Sequence, residues 1–223
     1  MLNTQNLHKY FDESDSDMRK GIDMNVSANE KPALLIIDMV KDTFKENGKL
    51  PITPWAKQII PPINDLIDGF RKNKWPIVFS TDAFHRQDFI FRAKMKPHSL
   101  AGTKGAEVID QLHRKEEDLW LPKPRFSAFF KTGLDLWLQD RDVTLCAVTG
   151  IATNFCVLTT VMDSICHDFK TVLVEDCTAA SSEKIHRQTL DNYRRNPIYP
   201  LLRIATSKEL MYELAGKDSI GHG

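Results

Sequence analysis

The chain has 223 residues, a length that fits one large domain better than two. Its 30 Lys and Arg residues balance its 30 Asp and Glu residues, and its apolar runs are far shorter than a bilayer-spanning helix. This composition argues against a nucleic-acid-binding surface and against a membrane protein, so we expect neither nucleic acid nor membrane as a partner.

The first 30 residues are rich in Asp, Asn, Ser and Lys and show no helical or strand period, which predicts a flexible N-terminal arm. An arm that lies over a neighbouring subunit is the alternative. One domain over residues 31–217 and a short tail over 218–223 complete the predicted organisation. The four cysteines form no CxxC pair, and the N-terminus lacks the apolar segment of a secretory signal. We therefore expect reduced thiols and a cytoplasmic protein.

From Pro32 onward, apolar runs alternate with helical patterns. Ala33-Leu-Leu-Ile-Ile-Asp38 is a continuous apolar run typical of a strand buried on both faces, and Pro76-Ile-Val-Phe-Ser-Thr-Asp82 is a second. Further strands are predicted at 119–121, 143–149, 171–176 and 203–206. Helices are predicted near 59–70, 105–112, 134–138, 157–165, 183–195 and 209–215. This order predicts an α/β fold with a mostly parallel sheet of about six strands and helices on both faces.

Function in such a sheet collects at the carboxyl ends of the strands. There, Thr149-Gly-Ile-Ala-Thr-Asn-Phe-Cys156-Val joins a strand to a helix and places a thiol at a helix N-terminus. The helix dipole and free N–H groups at that position lower a thiol pKa and can stabilise an oxyanion. The alternative is a small buried apolar residue, which is the fate expected for Cys146 and Cys166, whereas Cys177 is ambiguous.

Two further residues favour the nucleophile. Asp38 ends the first strand, where it is either a loop or helix cap or a general base in a partly apolar pocket. Lys123 lies between Pro122 and Pro124 just past the third strand, where it is either solvated or a held cation. An activated thiol, a base and a cation together make a triad for covalent catalysis.

Three motifs identify a family resemblance. Leu34-Leu-Ile-Ile-Asp38, Lys123-Pro-Arg-Phe-Ser-Ala-Phe129 and the Cys156 segment resemble the aspartate, lysine and cysteine motifs of the isochorismatase-like hydrolases, in order from about Pro32 to Thr206. That family includes nicotinamidases, carbamoylsarcosine amidases and isochorismatases. The resemblance implies a Rossmann-like three-layer sandwich.

The resemblance also implies a catalytic triad of Asp38, Lys123 and Cys156 and a cis peptide between Ile151 and Ala152. The N–H groups of Ala152 and Cys156 would then form the oxyanion hole. The implied activity is that of an amidase acting through a thioester on a small carboxamide or ureido compound, with nicotinamide the best-known family substrate. The resemblance further implies a homo-oligomer.

A second resemblance concerns a metal. Thr81-Asp-Ala-Phe-His85, followed by His98, is similar to the metal-binding segment of nicotinamidase-like members, which implies Asp82, His85 and His98 as ligands of one Zn, Fe or Mn ion. Two residues, not the usual one, separate this Asp from the first His. The alternative is that His98 caps a turn and His85 is solvated.

Aromatic residues around the predicted pocket offer surfaces for a planar substrate or simply belong to the core; they are Phe44, Phe84, Phe89, Trp120 and Phe155. A hydrolase of another small molecule, including isochorismate, is an alternative, although that chemistry does not need a cysteine. A non-catalytic binding protein on the same fold is another. A nucleotide-binding Rossmann protein is disfavoured because no GxGxxG follows the first strand.

Overall fold

The computed structural model describes residues 30–45 and 50–215. Residues 1–29 of the predicted arm and the predicted tail at 218–223 therefore lie outside the described residues. None of the described helices is long and apolar enough to cross a membrane.

Six parallel strands form one central sheet in the order β3-β2-β1-β4-β5-β6. The bounds of the strands are β1 Pro32–Ile37, β2 Ile77–Asp82, β3 Leu119–Lys123, β4 Leu145–Ile151, β5 Lys170–Ala179 and β6 Leu202–Ala205. The sequence predicted six strands at these places, and the prediction of a Rossmann-like parallel sheet is confirmed. The order reverses between β1 and β4, which places a crevice at the carboxyl ends of these two strands.

Of the seven α-helices in the described residues, six lie between strands and the last follows β6. Their bounds are α1 Lys41–Phe44, α2 Thr53–Gln58, α3 Ile60–Lys72, α4 Leu134–Gln139, α5 Leu158–Cys166, α6 Glu183–Arg194 and α7 Ser207–Leu214. A π-helical turn over Thr153–Val157 leads directly into α5, and two short 3₁₀ turns cover Phe89–Arg92 and Lys104–Ala106.

Two apolar layers enclose the sheet, because successive strand residues point to opposite faces. Leu34 and Ile36 of β1 face a core that includes α3 and α7. Leu35 and Ile37 face a second core that includes α4, α5 and α6. A strand covered on both faces accounts for the unbroken apolar run in the sequence, and the arrangement is a three-layer sandwich.

The predicted helix near 105–112 is wrong. Only the three-residue 3₁₀ turn at Lys104–Ala106 is helical there, and Val108 instead forms an antiparallel bridge with Val40. The amide of Ile109 donates to the carbonyl of Met39 at 3.0 Å. The apolar residues of this segment lie in a loop and point into the core. Their spacing in the sequence matches that of a helix face although no helix forms.

Gly150 of β4 lies so close to the backbone of β1 that no side chain fits there. Its φ is +101°, and a Cβ there would lie 2.1 Å from the carbonyl oxygen of Ile37. We expect Gly150→Ala to destabilise the fold by more than about 4 kcal/mol, since backbone atoms of a central strand cannot move aside. Gly102→Ala is the matched control: its φ is +74° but nothing lies within 4 Å, so we expect a cost of about 1–2 kcal/mol. Urea unfolding of both variants tests this, and equal losses would contradict it.

Candidate active site

Four chemically active side chains meet at the carboxyl edge of the sheet. Asp38 follows β1, Asp82 ends β2 and Lys123 ends β3, while Cys156 lies in the π-helical turn after β4. These strands are neighbours in the order β3-β2-β1-β4, so their carboxyl ends lie side by side. Asp82 and Lys123 are directly paired in the register of β2 and β3. The topology therefore brings together groups that are distant in sequence.

The ammonium of Lys123 lies between two carboxylates. Its Nζ donates to Asp38 Oδ2 at 2.9 Å and also to Asp82 Oδ1. The backbone amide of Asp82 donates to the other oxygen of Asp38 at 2.7 Å. Lys123 is completely buried, and the two aspartates are nearly so. The carboxylate of Asp38 is thus fixed through both oxygens in a site with little water.

Cys156 completes this cluster. Its Sγ and the carboxylate oxygens of Asp38 and Asp82 all lie within 4.8 Å of one another. The backbone of Asp38 leaves the strand in the left-handed region, at φ 54°. The structure therefore brings together the three residues that the sequence assigned to a triad, with Asp82 as a fourth member.

The ionisation of Cys156 differs from the expectation based on helix position. Burial raises the pKa of the thiol well above its usual value, and Asp38 raises it further, while Lys123 opposes both effects. Burial lowers the pKa of Lys123, but Asp38, Cys156 and Asp82 more than compensate and the net pKa is raised. The pKa of the thiol is therefore raised and not lowered, because burial and the two neighbouring aspartates outweigh the positive charge of Lys123. A base must take the thiol proton, and Asp38 is the hydrogen-bonded candidate.

Asp82 gives this cluster a pH dependence. Burial raises the pKa of Asp82 to about 8, and Asp38 adds to the rise against the opposing effect of Lys123. A carboxyl group with a raised pKa in the folded state binds a proton that the unfolded chain has released, so its contribution to stability is lost as pH rises towards 8. We expect the free energy of unfolding to fall between pH 5 and 8, and Asp82→Asn to flatten that fall. Urea unfolding at several pH values measures it, and an unchanged slope in the variant would contradict the prediction.

The turn between β4 and the thiol contains the predicted oxyanion-hole residues. The peptide bond between Ile151 and Ala152 is cis, at the bond where the resemblance implies it. The carbonyl of Ala152 accepts from the amides of Phe155 at 2.9 Å and Val157 at 3.2 Å, which fixes the turn. The assignment of the N–H groups of Ala152 and Cys156 to an oxyanion hole stays a prediction.

Comparison with known proteins assigns the chain to a family. The family model described as the Isochorismatase domain matches residues 32–206. The chain belongs to the isochorismatase family. Its membership confirms the resemblance drawn from the aspartate, lysine and cysteine motifs.

Relatives in this isochorismatase family include amidohydrolases. Ureidoacrylate amidohydrolase RutB of Klebsiella pneumoniae is 28% identical over 176 residues, covering 68% of this chain and 74% of RutB. A probable inactive nicotinamidase of Arabidopsis thaliana is 34% identical over 165 residues, covering 69% of this chain and 83% of that protein. The structure of pyrazinamidase of Pyrococcus horikoshii in complex with zinc matches with a TM-score of 0.69 and 25% identity, over 79% of this chain and 99% of that chain. The chain is therefore an isochorismatase-family hydrolase related to amidohydrolases.

The zinc in that pyrazinamidase makes the predicted metal ligands worth testing. In the described ranges 30–45 and 50–215, the side chains that meet as a possible three-ligand group are Asp38, Asp82 and Cys156. His85 and His98 are not part of this group. The structure thus does not assemble the set Asp82, His85 and His98 that the sequence assigned.

Local contacts engage the segments of both histidines in other interactions. The extra residue before His85 lets Phe84 enter the core, where its ring lies 5.6 Å from the ring of His98 in an edge-to-face contact. Nδ1 of His98 bonds the carbonyl of Lys96 at 2.9 Å, and the amide of His85 donates to Asp88. These residues do not fit the implied metal.

The remaining group of three is also a poor metal site. Lys123 already places a positive charge between Asp38 and Asp82, and a metal ion there would have to displace its buried ammonium. Asp82 therefore belongs to the ion-pair cluster, a role that sequence reasoning missed. The signal that could have revealed it is that Asp38 and Asp82 both end buried strands.

The predicted pocket aromatics divide into two groups. Phe84 is buried, whereas Phe155, next to the thiol, is 56% exposed and packs edge-on against Phe126. Phe89 is also exposed, and the indole of Trp120 donates to Thr81 at 2.9 Å. Phe155 is therefore the aromatic residue most open to a planar substrate near Cys156.

Proposed function

We propose that this isochorismatase-family chain is a cysteine-dependent amidohydrolase of a small carboxamide or ureido compound. The observation that carries this proposal is the buried convergence of Cys156, Asp38 and Lys123 at the carboxyl edge of the sheet. A protonated thiol in contact with a fixed carboxylate is the arrangement needed for nucleophilic attack assisted by a general base. The proposal assigns each member of the triad one role.

In the first half-reaction, Asp38 takes the proton of Cys156 as the sulfur attacks the carbonyl carbon of the substrate. Lys123 stays charged and stabilises the aspartate and the thiolate in turn. Negative charge on the carbonyl oxygen is stabilised by the N–H groups of Ala152 and Cys156. The C–N bond breaks, the proton on Asp38 passes to the leaving nitrogen, and ammonia leaves a thioester on Cys156.

In the second half-reaction, Asp38 takes a proton from water while the water oxygen attacks the thioester. The C–S bond breaks, and the proton returns to the sulfur of Cys156. One amide and one water thus give one acid and one ammonia, with the protein restored. Asp38 accepts and returns the proton in both half-reactions, and neither transfer requires a metal ion.

The activities of the relatives support the choice of substrate class. RutB of Klebsiella pneumoniae is a ureidoacrylate amidohydrolase, and the Pyrococcus horikoshii relative is a pyrazinamidase. The Arabidopsis relative is called a probable inactive nicotinamidase, so nicotinamide is one candidate among several. The class that these names share is a small compound with a C–N bond next to a carbonyl group.

The test is ammonia release by the wild-type protein from a panel of nicotinamide, pyrazinamide, ureidoacrylate and N-carbamoylsarcosine. We expect release from at least one compound, together with a transient mass increase on the peptide that contains Cys156, equal to the acyl group. Iodoacetamide modification of Cys156 should stop the reaction, whereas modification confined to the exposed Cys166 should not. Absence of ammonia release from the whole panel, or release that survives modification of Cys156, would refute the proposal.

A further inference from the structure

The turn that carries the thiol is held by a hydrogen bond from outside the triad. Thr153 begins the π-helical turn, three residues before Cys156, and its side chain is completely buried. Its Oγ1 lies 2.9 Å from Nδ1 of His186. Thr153 and His186 are 33 residues apart, so this bond joins the nucleophile turn to α6.

His186 is placed to accept this bond. It lies in the first turns of α6, which begins after the N-cap Ser182, and it is half-buried. Its ring forms part of the wall of a cleft of about 270 Å³, together with Trp55 and Ala179. Burial lowers the pKa of His186, so the ring is neutral at pH 7, and we assign the tautomer in which Nδ1 accepts from the hydroxyl of Thr153.

Charged groups around His186 act on its pKa in opposite directions. Glu175 of β5 and Glu183 of α6 raise its pKa, while Arg187 and Arg194 of α6 lower it. Glu175 is in turn paired with Arg194. Burial is therefore the main reason that the ring is neutral, and no single neighbouring ion sets the protonation of Nδ1.

We propose that His186 is a positioning residue that fixes the nucleophile turn through Thr153, so that the thiol of Cys156 stays aligned with Asp38. The inference rests on the proposed function for its kinetic readout, but its structural content concerns only the turn. His186 contacts neither Asp38 nor Lys123 in the described contacts, so it acts through the backbone of the turn.

The size of the expected effect follows from geometry. Attack by a thiol requires the sulfur to lie about 3–3.5 Å from the carbonyl carbon, and a displacement of about 1 Å costs about 100-fold in rate. A turn freed from α6 changes the position of the sulfur in both the free protein and the substrate complex. We therefore expect kcat to change much more than KM.

Three variants distinguish loss of the hydrogen bond from loss of side-chain volume. His186→Ala removes the acceptor, His186→Asn keeps an acceptor near the position of Nδ1, and Thr153→Val removes the donor at nearly constant volume. We expect His186→Ala and Thr153→Val to lower kcat about 10- to 100-fold with KM changed less than threefold, and His186→Asn to recover most of the loss. The double variant should lose no more than the worse single variant, since both changes remove one bond. His113→Ala, an exposed histidine bonded to Asp68, is the matched control and should keep wild-type kinetics.

A second readout does not depend on the substrate. The rate of alkylation of Cys156 by iodoacetamide, followed by mass spectrometry of its peptide, should fall several-fold in His186→Ala and Thr153→Val and recover in His186→Asn. If the wild type releases no ammonia but the alkylation pattern holds, the proposed function fails and the positioning role stands. If His186→Ala matches the wild type in both kcat and alkylation rate, or if His186→Asn is as impaired as His186→Ala, the inference is refuted.

Discussion

Cys156→Ala is expected to lower kcat/KM by at least about 10⁴-fold for any amide that the wild-type protein hydrolyses. Loss of a catalytic nucleophile typically removes this much activity, because the remaining groups can only polarise the substrate. The sulfur of Cys156 lies within 4.8 Å of a carboxylate oxygen of Asp38, which the proposal makes its base. Initial rates of ammonia release, measured with the best substrate of the panel, test the prediction.

The matched control for this change is Cys166→Ala at the exposed end of α5. It removes the same atom far from the cluster and should leave the rate within twofold of wild type. Cys156→Ala should also unfold cooperatively, so that a lost rate is not a lost fold. A Cys156→Ala variant that keeps more than a tenth of the wild-type rate would show that another group attacks the substrate.

Lys123→Met is expected to remove both activity and a large part of the stability. The ammonium of Lys123 compensates Asp38 and Asp82 in a completely buried site. Removing one partner of a buried ion pair leaves an uncompensated charge and costs about 3–5 kcal/mol. We expect a loss of that size at pH 7 and a loss of at least about 10²-fold in rate, since the carboxylate of Asp38 and the thiolate formed during attack both lose the cation that stabilises them. Urea unfolding followed by tryptophan fluorescence measures the first effect.

Two comparisons make this prediction specific. Lys31→Met breaks an exposed ion pair with Asp142 at 2.9 Å and should cost no more than about 1 kcal/mol. Lys123→Met combined with Asp82→Asn removes the carboxyl group whose pKa is raised to about 8, so at pH 9 the double variant should be more stable than Lys123→Met alone. That comparison remains informative if the single variant is too unstable to purify. A Lys123→Met protein as stable as wild type at pH 7 would contradict the ion-pair argument.

Much of the fold could be predicted from the sequence because burial on both faces leaves a strong pattern. The apolar runs that end at Asp38 and Asp82 correspond to β1 and β2, and the helix face of Ile63, Leu66, Ile67 and Phe70 is the buried side of α3. The segment 105–112 failed because an extended loop can bury apolar residues at helical spacing. Only tertiary contacts, such as the bridge between Val40 and Val108, decide between the two.

The candidate site was predictable in its members but not in its electrostatics. Cys156, Asp38 and Lys123 stood out because each follows or ends a strand at one edge of the predicted sheet. The direction of the thiol pKa depends on the depth of burial and on two carboxylates within 4.8 Å, which sequence spacing does not encode. The role of Asp82 was missed for a related reason: its partner is set by the register between β2 and β3.

The strand order has a consequence for how the site is assembled during folding. Lys123 and Asp38 are 85 residues apart, and Asp82 and Asp38 are 44 apart, so the ion pair of the first two and the hydrogen bond of the second two each close a long loop. Contacts of such high sequence separation form late and together. Closing each loop costs chain entropy first, and the favourable free energy of the contact follows only when the loop is closed. No short fragment contains more than one member of the cluster in its native surroundings. The four side chains of the cluster therefore come together only when the first four strands have their native arrangement, whereas β5 and β6 support the site without supplying any of its charges.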